Sequence, residues 1–199
     1  GDVAWEQGDP GQAVRVVEEA LVLGQDLGDK AIIASRLGKL GLIAWAQGDY
    51  EQAAQKFEAS LAISQEVGSN FASFMALQGL GRVAQSQGDF ARAGSLYKEA
   101  MALCQEMRIG LVAAVHLAAF AILAAAQNQM QRAARLFGAA ETLMPSVRLA
   151  VHVARAEYDR AKSATRAALG EEAFTAAWEE GKKMNLEEAV AYALSEAQQ

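Results

Sequence analysis

The sequence predicts an all-α solenoid of stacked helix pairs, and three observations predict it. The pentads Trp5-Glu6-Gln7-Gly8-Asp9, Trp45-Ala46-Gln47-Gly48-Asp49 and Gln85-Ser86-Gln87-Gly88-Asp89 repeat a Gly-Asp pair at even spacing, the glycines falling at positions 8, 48 and 88. After each pair comes a small residue and, four positions on, a larger one: Ala13 and Val17, Ala53 and Phe57, Ala93 and Tyr97. Only two prolines, Pro10 and Pro145, interrupt 199 residues rich in alanine, leucine, glutamate and glutamine, a mixture that favours helix.

Each copy reads as two helices joined by a tight turn. Glycine just past a helix adopts the left-handed conformation that closes it, and the following aspartate caps the next helix. Asp9 with Gln12 and Asp49 with Gln52 have the spacing of a reciprocal capping box, and Pro10 falls at a first helical position, where its missing N–H costs nothing. A fourth, degenerate copy follows one more period on, at Asn128-Gln129, asparagine being the best non-glycine residue for the turn. It continues with Ala133 and Phe137. Ala20, Ser60, Ala100 and Ala140 prolong the small-large stripe on the second helix, and Leu40-Gly41, Leu80-Gly81 and Phe120-Ala121 supply matching pairs on the first. Stacking of helix pairs is therefore expected over residues 1–143. Gly1 stands in the register of Gly41 and Gly81, so the sequence opens inside a first helix and is read as a fragment.

Residues 144–199 depart from the pattern and are expected to form capping helices at about Ser146–Leu169, Glu171–Lys183 and Leu186–Glu196, punctuated by Gly170 and Gly181. Val147, Val151, Ala154, Tyr158 and Ala161 make an apolar stripe on the first, with Arg155, Glu157, Asp159, Arg160 and Lys162 facing largely elsewhere. Asn185 with Glu188 has the form of a cap for the last.

The recurring Leu-Gly, Gly-Asp, Ala, aromatic and second Ala resemble the tetratricopeptide repeat, whose unit spans about 34 residues. The resemblance covers roughly residues 1–143 and implies a right-handed superhelical solenoid with a C-terminal helical cap. The 40-residue period departs from that unit and implies longer helices or loops; the proline that usually closes each repeat is absent. Longer repeats of this kind resemble the sensor regions of MalT-like and other large bacterial regulators. The tail is similar to the C-terminal part of such regions, through Arg132 to Glu141, Ala156-Glu157-Tyr158, Leu169 to Phe174, Trp178-Glu179-Glu180-Gly181 and Leu186 to Val190. In those regulators it accompanies a signal-transduction ATPase domain and a LuxR-type or other output domain. Neither a phosphate-binding loop nor a basic recognition helix occurs in this sequence, so ATP and DNA binding are not assigned to it.

A net charge of −6 and a sequence pI near 5.0 argue against direct nucleic-acid binding. Ile109–Ala126 is nearly uncharged but reads as a buried repeat helix, so no membrane association is expected. Cys104 stands alone, which fits a reducing cytoplasm and a buried structural thiol. His116 and His152 lack metal-ligand spacing, and Gly79-Leu80-Gly81-Arg82 lies within a helical stretch with no preceding strand. The reading is of a protein with no catalytic residues, no metal and no cofactor.

The first helix of each pair lines the concave face in tetratricopeptide arrays. By register, Trp5, Leu42, Trp45, Met75, Gln78, Arg82, Gln85 and Ile122 would face that groove, a mixed apolar and cationic surface suited to a peptide or an acidic ligand. Trp5 and Trp45 fit equally well as packing between repeats. The expected partner is a protein or peptide segment, other domains of the parent protein included; a small-molecule inducer and a purely structural scaffold are the alternatives.

Overall fold

Turn chemistry sets the architecture. In the computed structural model the described residues are 10–108, 110–143 and 155–195, and they form ten helices and no strand. Seven of the helices begin at Pro10, Lys30, Tyr50, Asn70, Phe90, Gly110 and Met130, an even step of half the period. They are α1 (Pro10–Asp26), α2 (Lys30–Ala46), α3 (Tyr50–Glu66), α4 (Asn70–Ser86), α5 (Phe90–Met107), α6 (Gly110–Ala126) and α7 (Met130–Leu143). The full period is thus two helices, typically of 17 residues, joined by short turns; the extra length lies in the helices and not in loops.

The turns at Gly28, Gly48, Gly68, Gly88 and Asn128 each close one helix and open the next with the same residues. At the turn after α2, the Gly48 N–H donates to the Trp45 carbonyl and the Asp49 N–H to the Ala44 carbonyl, the two bonds of a Schellman motif, with Gly48 at φ +82°. Asp49 then accepts from the Gln52 N–H at 3.0 Å, capping α3. The expected reciprocal capping box is not formed there. The Asp49 N–H is already spent on the preceding helix, and the Gln52 side chain reaches the Asp49 carboxylate instead, at 3.4 Å. The Asp9–Gln12 box involves Asp9, outside the described residues. Gly28-Asp29 and Gly68-Ser69 build the same turn at the intervening positions. Where glycine is absent, Arg108 and Asn128 take positive φ, +55° and +64°.

The small-large stripe is the packing device. Ala13, Ala53, Ala93 and Ala133 are fully buried, and Val17, Phe57, Tyr97 and Phe137 fill the space beside them. The Phe57 ring lies between two first helices. A Cβ on Gly41 of α2 would meet it at 3.0 Å, and one on Gly79 of α4 would come within 2.5 Å of its Cδ1. Gly81 stands in the same relation to Tyr97, whose Cδ1 a Cβ would approach to 2.6 Å. The first helices carry glycine because the rings of the second helices sit directly on their backbone.

The chain divides into two compact units, residues 1–103 and 104–199, with the boundary inside α5. In the first, α2 packs on α1, α3 and α4, and α3 also packs on α4. In the second, α6 and α7 form a pair over which the three last helices close: α8 (Arg155–Leu169), α9 (Glu171–Lys182) and α10 (Leu186–Leu194). Of the stripe expected on the first of these, Tyr158 is buried, Ala161 is half-buried, and Val147, Val151 and Ala154 lie outside the described residues. Asn185 and Glu188 form the full capping box at the start of α10.

Contacts in the second unit are close and specific. At the α7–α9 crossing, Gly138 faces the Trp178 carbonyl and Gly181 faces the Arg135 carbonyl, backbone against backbone. Arg132 donates to the carbonyls of Tyr192 (2.9 Å), Ala193 (2.9 Å) and Ser195 (2.7 Å), satisfying groups that the end of α10 leaves unpaired. Its burial lowers the guanidinium pKa, a shift opposed by the adjacent Tyr192. Arg135 is pushed the other way by its hydrogen bonds to Tyr192 (3.4 Å) and Glu180 (2.6 Å).

Candidate functional site

Stacking places the first helices α2 and α4 side by side in the first unit. Leu42 and Trp45 of α2 are half-buried and pack at the margin of a core made by Ala44, Ala53, Phe57, Leu80 and Val83. The Trp45 indole N–H donates to the Ser86 hydroxyl of α4 at 3.0 Å, and the Arg82 guanidinium lies over the indole ring, 5.4 Å from its centroid. Part of the Trp45 surface therefore packs between helix pairs, and part stays exposed beside the Arg82 guanidinium. No carboxylate among the described residues pairs with Arg82.

Along α4, residues 71, 75, 78 and 82 follow the i, i+4, i+7, i+11 spacing of one helix face. Met75 on that line is 43% exposed and Phe71 is 52% exposed, large apolar side chains left in water about two and three helical turns before the partly exposed Arg82. Phe71 is absent from the residues that register assigns to the groove. Its signal in the sequence is an aromatic at the head of the stripe that Met75 and Arg82 continue.

The structure closes off three of the expected residues. Gln78 and Gln85 are each only 9% exposed, and Gln85 accepts a 3.4 Å hydrogen bond from the Tyr97 hydroxyl of α5. The seam between neighbouring pairs consumes that part of the face. Ile122 is 7% exposed, because α6 is packed by α7, α8 and α10 together. Trp5 lies outside the described residues. What remains accessible is Leu42, Trp45, Met75 and Arg82, with Phe71 added.

Matches to protein families cover the tetratricopeptide repeat at residues 1–66 and again at residues 76–109. The chain carries a tetratricopeptide-repeat region. Tetratricopeptide repeats generally mediate protein–protein interaction, on a fold that typically serves as a non-catalytic scaffold. A search of the curated proteins found no match.

Three other positions weighed in the sequence of this tetratricopeptide-repeat chain, Cys104, His116 and Gly79 to Arg82, lie within helices. Cys104 is 1% exposed, and burial raises its thiol to about 11, which keeps it protonated near neutral pH. His116 is buried edge-on to Phe120, with 5.3 Å between ring centroids; His152 lies outside the described residues. Gly79 to Arg82 lie within α4, as helix and not loop. No helix among the described residues is long and apolar enough to cross a membrane.

A second polar cluster ties the last helices together. The Glu141 carboxylate of α7 accepts from the Tyr158 hydroxyl at 2.8 Å, the Lys162 ammonium at 2.7 Å and the Trp178 indole N–H at 3.2 Å. The sequence pattern points Lys162 largely away from the packed side; the structure turns it inward because Glu141, only 18% exposed, needs a counter-charge. Glu141, Tyr158 and Trp178 are far apart in sequence. In space they are one hydrogen-bonded knot across α7, α8 and α9.

Proposed function

We propose that the first-helix face of α2 and α4 is the binding face of a protein-interaction module, and that the chain acts as the sensor or interaction arm of a larger bacterial transcriptional or signalling regulator. The observation that carries the binding reading is the Trp45–Arg82 cation–π contact, an aromatic and cationic pair bridging two helix pairs, with Met75 exposed on the same helix. Aromatic and arginine side chains held rigidly at a surface are the groups that most often dominate the energy of protein association. A protein segment would lie across both helices, with other domains of the parent protein receiving the signal; a cytoplasmic setting follows from that role. The tail blocks around Glu141, Tyr158 and Trp178 support the regulator context by resemblance.

The test begins with the coding sequence on both sides of this chain. An ATPase domain upstream and a helix-turn-helix or other output domain downstream allow the parent protein to be assayed for its response, with Met75→Ser and Arg82→Gln introduced separately. Both variants should fold as the parent does and lose the response. An intact response in both would show that this face is not the input surface, and flanks holding only further repeats would favour a structural scaffold.

A further inference from the structure

The helices that line this face differ in charge from the rest of the chain. Helices α2 and α4 carry Lys30, Arg36, Lys39 and Arg82 and no acidic residue, in a chain with 24 acidic residues and a net charge of −6. Spread evenly, those acids would place about four on two helices of this length. The second helices carry them instead: Glu51, Glu58 and Glu66 on α3, Glu99 and Glu106 on α5. Some of these pair across helices, as Lys30 does with Glu66 and Arg92 with Glu58 at 3.7 Å. Arg82 is held over Trp45, partly exposed and with no carboxylate among the described residues on it, and Met75 and Phe71 stand exposed further along the same helix, beyond the buried Gln78.

From this asymmetry we infer that the occupant is an acidic segment of a protein partner, bearing an Asp or Glu for Arg82 and a large apolar side chain for Met75 and Phe71. This rests on the reading of α2 and α4 as the binding face and adds the chemistry of what binds there. Arginine held over an aromatic ring retains N–H donors for a carboxylate, and the cation–π contact lowers the rotamer entropy that an exposed ion pair otherwise costs. Met75 and Arg82 are seven residues apart on one helix, about 10 Å along its axis at 1.5 Å per residue. An extended partner segment covers that span in about three residues. The acid and the apolar anchor therefore stand about three positions apart in an extended partner, or about seven apart in a helical one lying along α4.

The experiment is selection from a display library of random 16-residue peptides against the whole chain, followed by affinity measurement on synthesised winners. Peptides enriched in Asp or Glu at such a spacing from Phe, Leu, Ile or Met, and bound roughly tenfold more weakly by Arg82→Gln but normally by Val67→Ser, are the expected result. Their binding should weaken with added salt, since the pair lies near the surface. Winners that are neutral or basic, yet lose affinity with Met75→Ser, would overturn the acidic chemistry and leave the binding face standing. Winners indifferent to both Arg82→Gln and Met75→Ser, or no enrichment at all, would overturn both.

Discussion

Replacing Gly181 with alanine should destabilise the second unit, against the intrinsic preference of a helix for alanine. A Cβ at that position would stand 2.7 Å from the Arg135 carbonyl carbon and 2.9 Å from its Cα, and closer still to the carbonyl oxygen. These are backbone atoms of α7, and no rotamer change can move them. The two helices must part by about 1 Å to restore ordinary contact, and packing around them falls off steeply over such a distance. The separation loosens Phe174, Ala177 and Ala134, which form the small core beneath the crossing, and strains the Arg135–Glu180 pair. Overpacking of this kind costs about 1–3 kcal/mol and sometimes more, against a gain of about 1 kcal/mol in helix propensity. With backbone on both sides, the upper part of that range applies, leaving a net loss of about 2 kcal/mol. Urea denaturation followed by far-ultraviolet circular dichroism measures it. Gly38→Ala is the matched control, because a Cβ there meets only the Ser60 hydroxyl at 3.4 Å and the same substitution should be neutral or stabilising. Gly138→Ala should behave like Gly181→Ala, and the double variant should lose less than the sum, since one parting of the helices accommodates both methyl groups. A Gly181→Ala protein at least as stable as the parent would refute the backbone-to-backbone crossing.

Other perturbations have clear signs. Arg108→Gly should raise stability by about 0.5–1 kcal/mol in the same denaturation assay, because relief of a left-handed arginine outweighs the added freedom of the unfolded chain. Glu141→Gln should cost about 2 kcal/mol by leaving Lys162 without its counter-charge, and Tyr158→Phe about 1 kcal/mol by removing one hydrogen bond; urea midpoints distinguish them. Cys104 should resist alkylation by iodoacetamide in the folded protein and react once urea unfolds it, as mass spectrometry will show. Its folded pKa is raised, so its contribution to stability is complete below the unfolded thiol's pKa near 9.0 and is lost as pH climbs toward about 11.

The sequence exposed the repeat through residues whose geometry admits few alternatives. Gly48 and Gly88 occupy left-handed turns, Asp49 and Asp89 cap helices, and Ala53 and Phe57 alternate small with large along one face. The half-period turns are present as well, at Gly28-Asp29 and Gly68-Ser69, one full period apart like the others. Arg108 gives no signal, because arginine at positive φ is held by the neighbouring structure and not by its own preference. Register alone places Trp45, Met75 and Arg82 on the proposed face, and the structure leaves all three partly or largely exposed. Gln85 and Ile122 share that register yet are buried, since helix periodicity says which way a side chain points and not whether another helix already lies there. Nor can sequence spacing show that Glu141, Tyr158, Lys162 and Trp178, drawn from three helices, meet at one carboxylate.

The shared turn has a consequence for how such a chain can change length. With the same few residues closing one helix and opening the next, there is no slack in which an added residue could be absorbed. A single insertion within a helix rotates everything beyond it by about 100° and swings the alanine-aromatic stripe off its neighbour. Point substitution is tolerated at many surface positions, but insertions and deletions are tolerated only as whole multiples of the unit. The gene is in effect written in a fixed metre, in couplets of two helices and two turns, and the heritable variable most open to it is the number of couplets.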